Sequence, residues 1–413
     1  MGLSNLANRG LLWVTYHRRV LFIALLLLKS LLVFLRMGVY FKLQSGRWYN
    51  FVSYWDFASA AAYGYFPYVH YWVEYPPIFP WLATLLYLTS ALAGNWAQPL
   101  FYMLILLLLL AADCGCVLSI YRIGQIAYGN DRLATLAGAL QVLLFVPVYL
   151  YTGWFDTLPT LLLLAALLQI LRNRSLWAGF WAGLGTLTKF FPGVTMVVGW
   201  RYLRGSWKTL FLVAFSVTIL LIMLPLMMKS PVMTLASIHG YFSRPSWETV
   251  WALIDGYYGS GGHPSPEMRF DPNAGTWIQH SSQLPSWLPA LLLISGVSLA
   301  LFYRFYLRSP VQAIALTGFL LNILLLTSKG YSPQYLTWII PVVALLAVRK
   351  VVWLPIGIGL AVANLIEYPL YFHTFSQEPA VLIAAVIVRN ALLLVSLGLQ
   401  WRLLTGQDKD LSL

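Results

Sequence analysis

Charge is what this sequence has least of. Only 9% of its 413 residues are Asp, Glu, Lys or Arg, and acids are scarcer than bases, 13 against 26. A soluble domain carries roughly 25% charged residues, so a string of soluble domains is excluded, as are disordered and collagen-like chains. Cysteine is nearly missing too. Cys114 and Cys116 lie two apart in an apolar run, point to different faces of a helix, and report no disulfide framework, metal site or redox compartment. There is no HExxH, Walker loop, GxSxG or CxxC pair, so metal hydrolases, ATPases and serine hydrolases gain no support. No internal repeat or low-complexity tract is visible, which weighs mildly against transporters built from repeated halves.

What the chain has is apolar length. Hydrophobic residues make up 60% of it, in many stretches long enough to cross a hydrocarbon core of about 30 Å. The fold class is an all-α polytopic membrane protein, read as one transmembrane domain over residues 1–413. A first span is expected over residues 20–40. With Lys29 in its middle and no small-residue cleavage pattern, it reads as a retained span rather than a signal peptide. Later spans centre near residues 110, 142, 164, 218, 295, 318, 340, 358 and 391.

The net charge of +13 would suggest nucleic acid in a soluble chain; here it reads as the positive-inside bias, with no nucleic-acid partner. The basic clusters, among them Arg18/Arg19, Arg172/Arg174, Arg201/Arg204/Lys208 and Arg349/Lys350, are all cytoplasmic under two conditions. Residues 78–93 must not cross, and residues 176–200, broken at Phe191-Pro192-Gly193 into a pair of short helices, must cross twice or dip in and return. About twelve spans then result, with both termini cytoplasmic. Most acids fall outside: Asp56, Glu74, Asp156, Glu248, Asp255, Glu267, Asp271, Glu367 and Glu378. Acid–base chemistry belongs on the extracytoplasmic side. Two outer segments exceed simple connections: a first loop over 41–93 with juxtamembrane helices, and a large loop over 229–285.

Five constellations on that side can carry chemistry. Asp56, in Tyr54-Trp55-Asp56-Phe57, is a carboxylate among aromatics, a setting that raises a pKa and makes a proton acceptor; capping the residues 58–62 as a helix is its bland alternative. Glu74 follows, in Glu74-Tyr75-Pro76-Pro77. Asp156, in Gly153-Trp154-Phe155-Asp156, is again a catalytic or capping residue. Lys189, in Thr188-Lys189-Phe190-Phe191-Pro192, is an intramembrane cation or one that snorkels to the interface. The turn Ser328-Lys329-Gly330-Tyr331-Ser332-Pro333-Gln334-Tyr335 and the stretch Tyr241–Thr249, with Arg244 and Glu248 and flanked by His239 and His263, complete the set. Arg244, Lys329 and Lys189 suit an anion site, or lipid headgroups. Asp113, Lys29, Arg36 and Arg389 lie within spans, where mutual pairing or snorkelling is expected rather than chemistry. Trp247, Trp251, Tyr257, Tyr258 and Trp277 suit sugar stacking and an interfacial aromatic belt equally.

In this order the motifs resemble the C-superfamily of glycosyltransferases, polytopic enzymes that use polyprenyl-phosphate sugars, and look most like its family 87 branch, which includes mannosyltransferases. The resemblance covers roughly residues 45–345. It rests on Asp56, Tyr75-Pro76-Pro77, Gly153-Trp154-Phe155-Asp156, the lysine turn at 187–192, and Ser332-Pro333-Gln334-Tyr335. The family usually has Gly-Gln/Arg-x-Asp where this chain has Gly153-Trp154-Phe155-Asp156.

The resemblance implies a GT-C-like bundle and an inverting transfer with Asp56 as general base. Glu74, Asp156 and Glu248 would orient sugar hydroxyls or hold the bases. Lys189, Arg244 and Lys329 would stabilise the departing phosphate, with His263, Gln334 and Tyr335 as further substrate-binding residues. No cofactor is required, although Asp56 and Asp156 could hold a divalent cation. The partners implied are a polyprenyl-phosphate sugar (mannose first), a glycan, glycolipid or protein acceptor, and membrane lipids. A transporter or flippase of lipid-linked sugars, or a non-catalytic glycolipid-binding protein, are the alternatives.

Overall fold

The structure is a computed structural model that describes residues 49–144, 153–262, 264–275, 280–285, 287–305 and 307–407, together with Ile23, Leu27, Ser30 and Leu31. The rest of the expected first span, His263 and Trp277 lie outside the described residues.

The described chain is helical almost throughout. In order, the elements that build the site are α1 (Tyr49–Ala58), α2 (Ile78–Ala91), α3 (Ala97–Tyr128), α4 (Asp131–Leu144), α5 (Thr157–Leu171), α6 (Ser175–Thr186), α7 (Val194–Tyr202) and α8 (Ser206–Lys229). There follow α9 (Pro231–Phe242), α10 (Val250–Ile254), α11 (Trp287–Phe302), α12 (Pro310–Thr327), α13 (Leu336–Ala347), α14 (Trp353–Leu365) and α15 (Pro379–Leu404). Every apolar centre read from the sequence beyond the first span falls in one of these helices.

Five of the described helices are long and apolar enough to cross a membrane: Gly94–Tyr128, Ser206–Lys229, Pro310–Thr327, Trp353–Thr374 and Pro379–Leu404. The 32 residues of α3 extend about 48 Å, well beyond one hydrocarbon core. The stretch 78–93 forms α2, whose 14 residues reach only about 21 Å. Its Phe79, Ala83, Thr84 and Tyr87 are buried, while Trp81, Leu85 and Leu88 on the opposite side are exposed. That one-sided burial fits a helix lying along the bundle. The stretch 176–200 is two short helices, α6 and α7, separated by a 3₁₀ turn at Phe191–Gly193.

The core sits around α12 and α13. Every residue of α13 is buried, and α12 packs against α11, α13 and α15. On the other side, α3 is flanked by α2, α4 and α5, and α5 leads to α6 and α8. The α6–α8 contact depends on two glycines at i and i+4. A Cβ on Gly179 would stand 2.4 Å from the Phe211 carbonyl oxygen, and one on Gly183 would stand 2.8 Å from Thr218. Small residues at this spacing let helix backbones approach where lipid is the competing solvent. The rest of α8 is largely exposed; only Phe211 and Thr218 are buried.

Gly179→Leu should therefore lower thermal stability in detergent by about 1–3 kcal/mol, as overpacking does. Gly398→Ala, where nothing stands within 4 Å, should change it by no more than about 0.5 kcal/mol.

Candidate active site

Three buried ion pairs among the described residues gather around the loops between these helices. The first joins Glu74 to Arg269, whose guanidinium donates to both carboxylate oxygens, one at 3.1 Å. Trp72 fixes this arrangement: its Nε1 donates to the carbonyls of Met268 and Asp271 at 2.9 Å, and its backbone N–H to Arg269. Arg269 also lies over the Phe57 ring at 5.6 Å. This brings the 266–271 turn beneath the end of α1.

Asp56 belongs to that end. It lies inside α1, and the following 3₁₀ turn, Ser59–Tyr63, has Ala58 at its cap position. The capping role is thereby removed. The carboxyl is exposed at the surface of the cluster. Partial burial raises its pKa above the ordinary aspartate value; Arg269 pulls it back, and Glu267 pushes it further up.

The second pair joins Asp156 to Lys189. Asp156 precedes α5, yet its side chain makes no capping hydrogen bond. Its Oδ1 instead accepts from Lys189 Nζ and from Trp338 Nε1, each at 2.7 Å. Lys189 is buried rather than snorkelled, because the aromatic side chains around it supply a cation–π cage. Its ammonium lies 4.5 Å from the Tyr335 ring centroid, 5.2 Å from Phe155 and 5.3 Å from Trp338. Trp338 is sandwiched between Phe191 at 4.1 Å and Tyr335 at 4.0 Å. The Ile78 N–H donates to the Leu187 carbonyl at 3.0 Å, so the Tyr75-Pro76-Pro77 start of α2 is tied to the lysine turn.

The third pair, Glu367 with Arg389, lies beside Glu248. Arg389 donates to the Glu367 carboxylate and to the Glu248 backbone carbonyl, and stacks over Tyr331 at 3.5 Å. Among the described residues, Arg389 thus neither snorkels nor pairs with another of the charges read as lying within spans; its partner is Glu367. Glu248 is buried with a left-handed backbone, φ 54°, a conformation that costs a non-glycine residue roughly 1–2 kcal/mol. Burial, followed by the charge of Glu367, pushes its carboxyl pKa well up.

Next to it, Trp247 docks the 244–249 stretch on the 328–335 turn. The two segments exchange backbone hydrogen bonds, Trp247 N–H to Lys329 at 3.1 Å and Tyr331 N–H to Trp247 at 3.0 Å. The fit requires Gly330, where a Cβ would stand 2.1 Å from the indole. Arg244 stacks on that indole at 4.3 Å and donates to the carbonyls of Gly261 and Gly262. Lys329 is half-buried, which lowers its pKa, with Asp255 acting in the opposite direction. Gln334 is buried and its Oε1 meets no donor.

The three clusters adjoin. Tyr75, beside Glu74, packs edge-on against Phe155, beside Asp156, at 5.1 Å, and Tyr331, on which Arg389 stacks, packs against Tyr335 of the lysine cage at 5.6 Å. The sequence candidates Glu74, Asp156, Lys189, Arg244, Glu248, Lys329, Gln334 and Tyr335 therefore belong to one connected region, with Asp56 at its exposed edge. Among the described residues no three or more His, Cys, Asp or Glu side chains converge as metal ligands.

Arg269 and Trp338 escape the sequence reading. The signal for Arg269 was available, a base in a loop that the charge bias reads as outer, as for Lys329. Nothing distinguishes Trp338 from the other tryptophans.

This is a candidate active site, built into a helical membrane protein from loops and helix ends. The family model for glycosyltransferase family 87 matches residues 72–328, more than half of the chain. The chain belongs to that family and is a glycosyltransferase, which settles the choice between enzyme, transporter and silent scaffold. No curated protein sequence matches significantly. Among solved structures, ArnT from Cupriavidus metallidurans bound to undecaprenyl phosphate matches with 17% identity and a TM-score of 0.48, covering 94% of this chain and 77% of that one.

Removing one partner of a buried pair strands the other charge. Lys189→Met should destabilise the protein by about 3–5 kcal/mol, and the double variant Lys189→Met/Asp156→Asn should recover part of that loss in thermal unfolding.

Proposed function

We propose that this glycosyltransferase moves a sugar, mannose as the first choice, from a polyprenyl-phosphate donor to an acceptor hydroxyl at the extracytoplasmic face, with inversion. The observation that carries the reading is the placement of Asp56. It is an exposed carboxyl with a raised pKa, at the rim of a region whose cations, Lys189, Arg244 and Lys329, come from three other segments.

In this scheme Asp56 takes the proton of the acceptor hydroxyl while that oxygen attacks the anomeric carbon. The bond from that carbon to the phosphate oxygen breaks, and its electron pair stays on the departing polyprenyl phosphate. Because no covalent intermediate forms, one carboxylate is enough. Negative charge grows on the phosphate, so a fixed cation is worth more in the transition state than in the ground state. Lys189, Arg244 and Lys329 supply that charge. Glu74 and Asp156 hold Arg269 and Lys189 in place, and Gln334 and Tyr335 line the same region. The lipid would lie between helices, which explains why a sugar transferase is embedded in a membrane. A GT-C architecture and a glycan, glycolipid or protein acceptor accompany this reading.

The test is transfer of radiolabelled sugar from synthetic polyprenyl-phosphate mannose by purified protein in native lipid extract, with glucose and arabinose donors in parallel. Asp56→Asn, checked for folding, should reduce transfer by about 10²–10⁴-fold, the usual contribution of a general base. Equal transfer by both proteins would remove Asp56 from the mechanism.

The pH profile gives a second expectation. The base works only when deprotonated, so the rate falls as pH drops through its pKa. With that pKa raised, the acidic limb should lie above the value of about 3.9 for an ordinary aspartate.

A further inference from the structure

Two carboxyl groups and one guanidinium are buried together where the 244–249 stretch, the 328–335 turn and the segments bearing Glu367 and Arg389 meet. Arg389 brings Glu248 and Glu367 together, donating to the Glu367 carboxylate and to the Glu248 carbonyl, and Glu248 Oε2 and Glu367 Oε1 are both buried without a donor. Two acceptors cannot satisfy one another. A single proton between them satisfies both and leaves one negative charge facing the Arg389 guanidinium. Among the described residues, the phenols of Tyr331, Tyr257 and Tyr371 also act on the cluster and are neutral below the alkaline range; the half-buried Lys329, and Asp255 and His280 bonded to Ser246, lie on the segments docked around it. Burial and the Glu367 charge favour the protonated form of Glu248.

The pair sits in the middle of a docked stretch. On one side of Glu248, Trp247 exchanges backbone hydrogen bonds with Lys329 and Tyr331; on the other, Thr249 Oγ1 donates to the Lys329 carbonyl at 2.8 Å. Arg389 holds Glu248 from beneath through its backbone carbonyl. Glu367 and Arg389 both lie beyond the residues matched by the family model.

We propose that Glu248 and Glu367 share one proton and, gripped by Arg389, act as positioning residues that keep the 244–249 stretch with Arg244 docked on the turn that carries Lys329. The consequence for transfer rests on the proposed function; the docking itself is measured without it. Docking is complete at neutral pH and is lost as pH rises through the pKa of the shared proton.

The experiment is hydrogen–deuterium exchange of the full-length protein in lipid nanodiscs, corrected for intrinsic rates and followed at the Trp247 and Tyr331 amides at pH 7 and pH 9.5. Sugar transfer is measured on the same preparations. Glu367→Ala should raise exchange at both amides roughly tenfold or more at neutral pH, the effect of leaving a buried polar group without its partner. Glu248→Gln, whose amide donates permanently to Glu367, should keep neutral-pH protection and lose the alkaline opening seen in the wild type. Unchanged exchange in Glu367→Ala, or the same alkaline opening in Glu248→Gln and wild type, overturns the clamp. If Glu367→Ala does not fold, the Glu248→Gln comparison decides alone. Exchange behaving as expected while no donor is turned over would leave the clamp standing and count against the proposed donor reaction.

Discussion

Charge taken out of water must be matched, and in this molecule the matching defines the architecture. An uncompensated ion in a low-dielectric interior costs several kcal/mol even after relaxation. Here the buried acids Glu74, Asp156 and Glu367 each meet a base from elsewhere in the chain, Arg269, Lys189 and Arg389 respectively. The pairs span 195, 33 and 22 residues of sequence. Each therefore fastens one loop or helix end to another. The helices supply apolar surface that could slide or rotate among many similar packings, because lipid tails are as apolar as leucine. A buried cation with one or two carboxyls in reach has far fewer choices.

Aromatic rings extend the same logic. Lys189 is enclosed by Phe155, Tyr335 and Trp338, and Arg389 and Arg244 lie against Tyr331 and Trp247. Ring faces give cations a partly polar contact in a setting without water, and their flatness stacks the neighbouring segments in register. Glycine is needed where such a ring presses on the backbone, as Trp247 does on Gly330. The polar groups thus specify which segments meet, and the aromatic contacts specify how closely.

Much of this was legible beforehand. Apolar length located the helices, and the charge bias identified residues 78–93 and 176–200 as exceptions to simple crossing. Both became short helices. Asp56, Asp156 and Lys189 stood out as ionisable groups in apolar or aromatic surroundings. The partners were not legible, because pairing is a property of three-dimensional approach. Asp156 ahead of α5 has the sequence of a helix cap, and only the fold brings Lys189 to its Oδ1. Arg269 carries no local motif. Glu367 and Arg389 each look like an isolated charge in an apolar run, and their link to Glu248 depends on a loop more than a hundred residues away.

The position of Arg389 also bears on how the molecule comes together during synthesis. It lies in α15, the last described helix, whereas Glu248 and Glu367 leave the ribosome earlier. Until α15 has formed, the buried carboxyl of Glu367 lacks the base that matches it. The loop around Trp247 likewise has no grip from below. A later helix therefore locks earlier segments into place, and assembly of this region waits on α15.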